Sequence, residues 1–363
     1  MITYMFPGQG SQAKGMGEKL FEEFPDLVRI ADEVLGYSIE KLCLEDPDNC
    51  LNLTQYTQPA LYTVNALSYF HKINESGCKP DYVAGHSLGE YNALLAAEVY
   101  DFRTGLYLVR RRGELMGRAS GGAMAAVTKL NESKVRSILA KNGLDGIDIA
   151  NLNSPEQIVI SGLERDIDAA KEIFEREGAR YIKLKVSAAF HSRYMADAQK
   201  EFAQYIKKMQ FSSPKIPIIS NVTARIHEQG RIQDTMVKQL CSPVRWTDSI
   251  RFLLDNNCQE FEEIGPGKVL TNLVKKIRNE VTSENTANTP STGRWDYQGY
   301  GDNVFQKVEQ WNRRYPVGTK VSCQGYQEKV VTRTEAMVLF GHRAVVYMEK
   351  YNGYFDLDEI EVN

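Results

Sequence analysis

The segment Asp81-Tyr82-Val83-Ala84-Gly85-His86-Ser87-Leu88-Gly89-Glu90-Tyr91-Asn92-Ala93-Leu94-Leu95-Ala96-Ala97 decides how the chain reads. Its first four residues are short and apolar enough for a buried strand, and the run from Glu90 consists of strong helix formers. Between them stands a G-x-S-x-G sequence. A strand, a tight turn and a helix around such a sequence predict a nucleophile elbow with Ser87 at its tip. Gly85 and Gly89 leave out the Cβ atoms that so sharp a turn cannot accommodate. The turn exposes the serine hydroxyl and aims the unpaired N–H groups of a helix N-terminus at a developing oxyanion.

Working outward, residues 1 to about 276 alternate short apolar runs with helical patterns, the signature of an α/β fold in which helices cover a sheet. A strand to Phe6 breaks at Pro7-Gly8-Gln9-Gly10, with helices expected from about Gly17 to Phe24 and from Gln58 to Ile73. Beyond the elbow, Thr104 to Ala119 completes a helical region. From 122 to 186 the order changes to β-α-β-β-α-β, which predicts a ferredoxin-like small subdomain inserted into the larger body. The body is then 1–121 and 187–277, with further strands at Ile216–Ser220 and Phe261–Ile264. The polar stretch 278–293 has too few apolar residues to build a core and is expected to be a linker. Residues 294–363 hold two of the three tryptophans, Trp295 and Trp311, and predict one helix and several short strands, a small mainly-β module.

Composition narrows the function classes. The chain has 363 residues and a formal net charge of -3, and 42% of its residues are hydrophobic. These values offer no basic face for nucleic acid, and a mean hydropathy of -0.40 argues against membrane spans. Met1–Phe6 lacks a basic leader region, and the six cysteines are scattered without a C-x-x-C pair or a histidine cluster. The expectation is a cytoplasmic protein with reduced packing thiols, no metal and no bound cofactor.

A serine needs a base to act as a nucleophile at neutral pH. Of the five histidines, His71 falls on a helical stretch, His227 in a polar turn and His342 in the C-terminal module. His86 adjoins Ser87 and projects away from it. His191 remains, in Ser187-Ala188-Ala189-Phe190-His191-Ser192, although position alone fits a core or surface histidine equally well. No acidic third member stands out, so the reading is a Ser–His dyad oriented by backbone carbonyls. Three consecutive arginines, Arg110, Arg111 and Arg112, share one helix and point about 100° apart. Arg110 and Arg111 read as a solvated face, and Arg112 as a bidentate partner for a carboxylate.

Phe6-Pro7-Gly8-Gln9-Gly10-Ser11-Gln12, Gly85–Tyr91, Arg112-Gly113, Asn153-Ser154-Pro155, Phe190-His191 and Gly265-Pro266-Gly267-Lys268-Val269-Leu270 follow one another in a family's order. Over roughly its first three quarters the chain resembles malonyl-CoA:acyl carrier protein transacylases, most closely the free-standing acyltransferases that serve polyketide synthases in trans. The resemblance implies an α/β-hydrolase-like body, with malonyl-CoA and a phosphopantetheinylated acyl carrier protein as substrates. It makes Ser87 the nucleophile and His191 the base, oriented by the main-chain carbonyl of Gln239. It places the oxyanion hole at the N–H groups of Gln9 and Leu88, and the malonyl carboxylate on Arg112. His86, Gln58, Phe190 and Asn153 are implied to line the acyl pocket. A ring at Phe190, where methylmalonyl-selective relatives tend to carry serine, implies malonyl selectivity, worth about 1–3 kcal/mol per methyl group. Two other readings stand beside this one: an acyl hydrolase that unloads carrier proteins, and a carrier-protein-binding scaffold without activity.

Overall fold

Strand β1 (Ile2–Phe6) sends alternate side chains to opposite faces: Tyr4 and Phe6 enter one apolar cluster, Met5 another. This computed structural model describes residues 1–186, 188–287, 302–323, 329–339, 343–349, 354–357 and 360–361, in two units, Met1–Asn288 and Thr289–Asn363. After β1 come α1 (Glu18–Glu23), α2 (Pro25–Leu35), α3 (Ile39–Leu44), α4 (Thr54–Ser76) and β2 (Tyr82–Gly85). The elbow leads into α5 (Gly89–Ala96) and α6 (Phe102–Gly117). The expected split motif follows as β3 (Gly122–Thr128), α7 (Glu132–Lys141), β4 (Asp148–Ser154), β5 (Gln157–Leu163), α8 (Glu164–Arg176) and β6 (Arg180–Lys183). Then α9 (Ala196–Ile206), β7 (Ile218–Ile219), α10 (Ile232–Gln239), α11 (Trp246–Asp255), β8 (Glu260–Glu263) and α12 (Val269–Ala287) complete the first unit.

Two four-stranded sheets organise this unit. One is parallel, in the order β7-β2-β1-β8, and pairs Phe6 with Gly85. Both its faces are covered, as parallel sheets require: Val83 and Ile218 join the cluster of Tyr4 and Phe6, while Ala84 and Ile219 join that of Met5, Trp246 and Leu270. The other sheet is antiparallel in the order β4-β5-β3-β6, with its own core of Val127, Ile138, Ile160 and Phe174. Its edge strand β4 is tied to the body, because Leu152 N–H donates to the Val244 carbonyl (2.9 Å) and Val244 N–H to that of Ala150 (2.8 Å). Among the described residues, no helix is long and apolar enough to cross a membrane.

Three expectations shift. The stretch between Phe24 and Gln58, read without elements, holds α2 and α3; the marks were there, in Pro25 at the first position of α2 and the left-handed Gly36 behind it. Helix α4 starts at Thr54, so Gln58 lies in its second turn. The expected linker is helical as far as Ala287, and its remainder, 288–293, lies outside the described residues. Once Leu270, Leu273, Val274 and Ile277 are buried, each added residue extends α12 at little cost, without needing a new apolar side chain. Glu280 pairs with Arg251 at 2.5 Å, and Arg278 lies over the Phe261 ring.

The second unit contains α13 (Asp302–Arg314), β9 (Lys320–Cys323), β10 (Val330–Val331), β11 (Met337–Leu339), β12 (Arg343–Tyr347), β13 (Tyr354–Asp356) and β14 (Ile360–Glu361). These strands form two three-stranded antiparallel sheets around Val321, Val346, Met348 and Phe355, with Trp311 packed against that cluster. Ser187, Trp295 and His342 lie outside the described residues.

The tightest constraint on the body is at the elbow. A Cβ on Gly89 would stand 2.0 Å from the Phe6 carbonyl oxygen, and one on Gly85 1.9 Å from the Gly89 carbonyl carbon. Gly89→Ala is therefore expected to destabilise the chain by about 3 kcal/mol, read as a drop in melting temperature. An unchanged melting temperature would mean that α5 has room to withdraw from β1.

Candidate active site

Ser87 adopts φ 52°, a left-handed conformation that a non-glycine residue holds only when its surroundings enforce it. The enforcement is visible. Its N–H donates to Asn221 Oδ1 (2.7 Å), while Asn221 Nδ2 donates to the Gly85 carbonyl (2.6 Å). One asparagine thus clamps the chain on both sides of the turn.

His191 reaches the serine from the loop between β6 and α9. That loop presses against β3 where Gly122 has no side chain: a Cβ there would meet the Ala189 nitrogen at 2.4 Å. Small residues at 188 and 189 serve this close approach. His191 Nδ1–H donates to the carbonyls of Gln239 (2.9 Å) and Ser242 (3.1 Å). With the proton held there, Nε2 is left as the acceptor, 2.7 Å from Ser87 Oγ. No carboxylate takes part in this orientation. Burial, reinforced by the Arg112 charge, pushes the imidazole down from 6.5 to about 3. The ring is therefore a neutral base throughout the physiological range.

Arg112 lies on the buried face of α6, and Arg110 and Arg111 face outward to Glu114 and Glu201. Its guanidinium is 1% exposed, yet its direct partners are neutral. Nη1 donates to Gln58 Oε1 (2.9 Å), and Nη2 donates to Gln239 Oε1 (3.0 Å) and Ser87 Oγ (3.1 Å). The Tyr91 ring centroid is 5.4 Å away, and Nε has no partner. A buried cation with a donor to spare and no carboxylate in contact is a costly arrangement unless an anion arrives to complete it.

Gln9, Gln58, His86, Ser87, Leu88, Arg112, Asn153, Phe190 and His191 line one cavity of about 160 Å³. That is room for roughly five waters, or a short acyl group. Met116, Met124, Val159, Leu184 and Val186 close it on the apolar side, and Asn151 also lines it. His86 pairs through Nε2 with Asn153 Oδ1 (2.8 Å), a bond that joins β4 to the elbow. Gln239 lies behind the cavity with both its carbonyl and its amide engaged. A larger groove of about 530 Å³ runs past Arg136 and Arg251, but those cations are already paired with Glu132 and Glu280. Among the described residues, no group of three or more His, Cys, Asp or Glu could hold a metal ion.

Sequence reasoning missed a polar layer beneath the elbow. Glu90, on the buried helix α5, accepts from His227 Nε2 (2.7 Å), the Asn221 N–H (3.1 Å) and Gln239 Nε2. His227, expected in a polar turn, is buried, because the bridge between Ile219 and Ile226 folds its segment back along β7. The available signal was Glu90 itself, the one charged residue of α5.

Because His191 is held neutral, the rate at which a serine-directed fluorophosphonate inactivates the protein is expected to stay level from pH 8 down to about pH 5. An inflection near 6.5 would show a solvated imidazole. The sign for stability follows by linkage. The unfolded chain takes up this proton below 6.5 and the folded chain does not, so this contribution to stability is complete above 6.5 and is lost as pH falls toward about 3.

The profile of the acyl transferase domain family matches residues 3–313. Over 282 residues the chain is 57% identical to the polyketide biosynthesis malonyl CoA-acyl carrier protein transacylase BaeC of Bacillus velezensis, covering 77% of this chain and 98% of that protein. The corresponding transacylase PksC of Bacillus subtilis is 55% identical with the same coverage. Among solved structures, the malonyl CoA-acyl carrier protein transacylase of Burkholderia pseudomallei superposes with a TM-score of 0.75 at 50% identity, covering 80% of this chain and 99% of that one. A malonyl-transacylase in complex with a type II polyketide synthase acyl-carrier protein gives a TM-score of 0.73 at 35% identity, covering 77% and 93%. Ser87, His191 and Arg112 share one cavity, and the family match at residues 3–313 spans all three: the chain belongs to the acyl transferase domain family, among the malonyl CoA-acyl carrier protein transacylases.

Proposed function

We propose that the chain moves a malonyl group from malonyl-CoA to the phosphopantetheine thiol of an acyl carrier protein, in trans for a polyketide synthase. The observation that carries this reading is Arg112, a buried guanidinium with neutral direct partners whose Nη2 lies 3.1 Å from Ser87 Oγ. A carboxylate-bearing acyl group supplies the missing anion, and a neutral acyl group leaves the charge unpaired.

Ser87 Oγ attacks the thioester carbonyl while His191 Nε2 takes its proton. The oxyanion forms toward the N–H groups of Gln9 and Leu88. The C–S bond breaks, the coenzyme A sulfur takes the proton from His191, and malonyl remains esterified to Ser87. The carrier thiol then gives its proton to His191 and attacks the ester, and Ser87 Oγ recovers the proton as it leaves. The Gln239 carbonyl keeps the imidazole in the tautomer both halves need. Gln58, His86, Asn153 and Phe190 shape the acyl pocket, and the Phe190 ring occupies the space of an α-methyl branch.

The body, residues 1–121 and 187–277, is α/β-hydrolase-like, and 122–186 form a ferredoxin-like subdomain; the strand order β4-β5-β3-β6 supports that assignment. Residues 294–363 are a separate docking or packing module. A hydrolase reading is weaker, because an enzyme for neutral acyl chains has no use for a buried guanidinium. A scaffold without activity has no use for a neutral histidine 2.7 Å from Ser87 Oγ.

Intact mass spectrometry after brief exposure to malonyl-CoA is expected to show one malonyl adduct, absent in Ser87→Ala and discharged by a phosphopantetheinylated carrier protein. An adduct on Ser87→Ala would remove the serine from the mechanism, and discharge by water alone would favour the hydrolase. Arg112→Ala is expected to lose malonyl loading by about 10²-fold and to gain relative tolerance of acetyl-CoA. An unchanged malonyl-to-acetyl preference would put the malonyl carboxylate elsewhere.

A further inference from the structure

Gln239 touches three members of the site. Its carbonyl accepts from His191 Nδ1–H (2.9 Å), its Oε1 accepts from Arg112 Nη2 (3.0 Å), and its Nε2 donates to the Ser87 carbonyl (3.0 Å). A side-chain amide can be turned over, which would set its NH2 against the guanidinium, donor to donor. Something must hold it the right way round.

Glu90 does this by geometry. Gln239 Nε2 also donates to Glu90 Oε2, so both neighbours on that side of the amide, Glu90 and the Ser87 carbonyl, are acceptors. The amide nitrogen must face them, and the oxygen is left for Arg112. The other oxygen of Glu90 is held by His227 Nε2 (2.7 Å) and the Asn221 N–H (3.1 Å), and Asn221 is the residue that clamps the elbow. The carboxylate is wholly buried and makes no direct contact with the reacting groups.

The interposed amide also separates two buried charges. A direct Glu90–Arg112 pair would satisfy the guanidinium from within the protein and leave nothing for a substrate carboxylate. With Gln239 between them, Glu90 still offsets the buried cation at longer range, yet Arg112 meets only neutral groups and keeps Nε without a partner. We propose that Glu90 is a positioning residue for acyl selectivity: acting through the Gln239 amide, it presents Arg112 to an acyl carboxylate while sparing the guanidinium from a direct ion pair.

The inference rests on the malonyl-transfer reading, and its test separates the two. Serine-titrated wild type, Glu90→Gln, Gln239→Met and the double variant are compared for kcat/KM with malonyl-CoA and with acetyl-CoA. Glu90→Gln keeps the shape but can no longer offer two oxygens to three donors. The malonyl-to-acetyl ratio is expected to fall about tenfold in each single variant. The double variant is expected to fall no further than either one, because both act through the same amide. A merely structural role would instead lower the titratable fraction or both substrates together, leaving the ratio in place. An unchanged or increased ratio in folded Glu90→Gln, or additive losses in the double variant, would overturn the proposal. If Glu90→Gln does not fold, Gln239→Met decides, because it keeps the backbone carbonyl on His191; an unchanged ratio there overturns it equally. Wild type that takes no malonyl from malonyl-CoA would instead overturn the transfer reading itself.

Discussion

The Phe6 carbonyl stands where a Cβ on Gly89 would be, and much of the body follows from that approach. With no side chain between them, helix α5 begins directly against the end of β1. The elbow must therefore turn within the residues from Gly85 to Gly89, and Ser87 takes a left-handed conformation at its tip. The His86 N–H donates to the same Phe6 carbonyl (3.0 Å), so the oxygen that excludes a side chain at Gly89 also anchors the turn. A parallel β1–β2 pair, a helix starting against it and a serine raised above the sheet are one geometric solution seen from three sides.

The chemistry is set by a second constraint, the burial of charge. His191 is pushed to about 3 and Arg112 is lowered by the same desolvation, each in a cavity lined by methionine, valine and phenylalanine. Desolvation acts on both in the same sense, against the charged form, but with different outcomes. It keeps the imidazole in the neutral form a base needs, and it leaves the guanidinium, which stays protonated, short of a counter-charge. An incoming carboxylate thus gains at Arg112 what neutral groups cannot supply. Beneath both, Glu90, Asn221, His227 and Gln239 form a polar layer in which the hydrogen bonds of one residue fix the orientation of the next. Such layers stabilise a site only when their members are satisfied, so the unpartnered His227 Nδ1 marks its weakest point.

The two sheets meet the site differently. The parallel sheet carries the elbow at the C-terminal end of β2, where α/β folds assemble their sites. The antiparallel sheet contributes Asn153 and Asn151 from β4, the strand bonded to the body at Val244. On the cavity side this sheet gives Met124, Ala150 and Val159 to the body's own apolar cluster, and its other face packs a separate core.

What the sequence determined by itself is local. The strand–turn–helix flanks of Ser87, the β-α-β-β-α-β order after Gly122 and the position of Arg112 on its helix all follow from periodicity, glycine placement and helical geometry. These depend on neighbours a few residues apart, and they are written into any stretch of chain that long. The edges of elements were less legible: α12 outruns its apolar residues because helix extension needs no new core contact once the helix is nucleated. Only the tertiary structure decided which groups meet. Glu90 and His227 are 137 positions apart, and Ser87 and His191 are 104. Nothing in the composition of a polar turn says that its histidine will fold inward onto a carboxylate. Such pairings are fixed by the register of β7 on β2 and by the crossing of buried helices, which depend on the packing of the whole core.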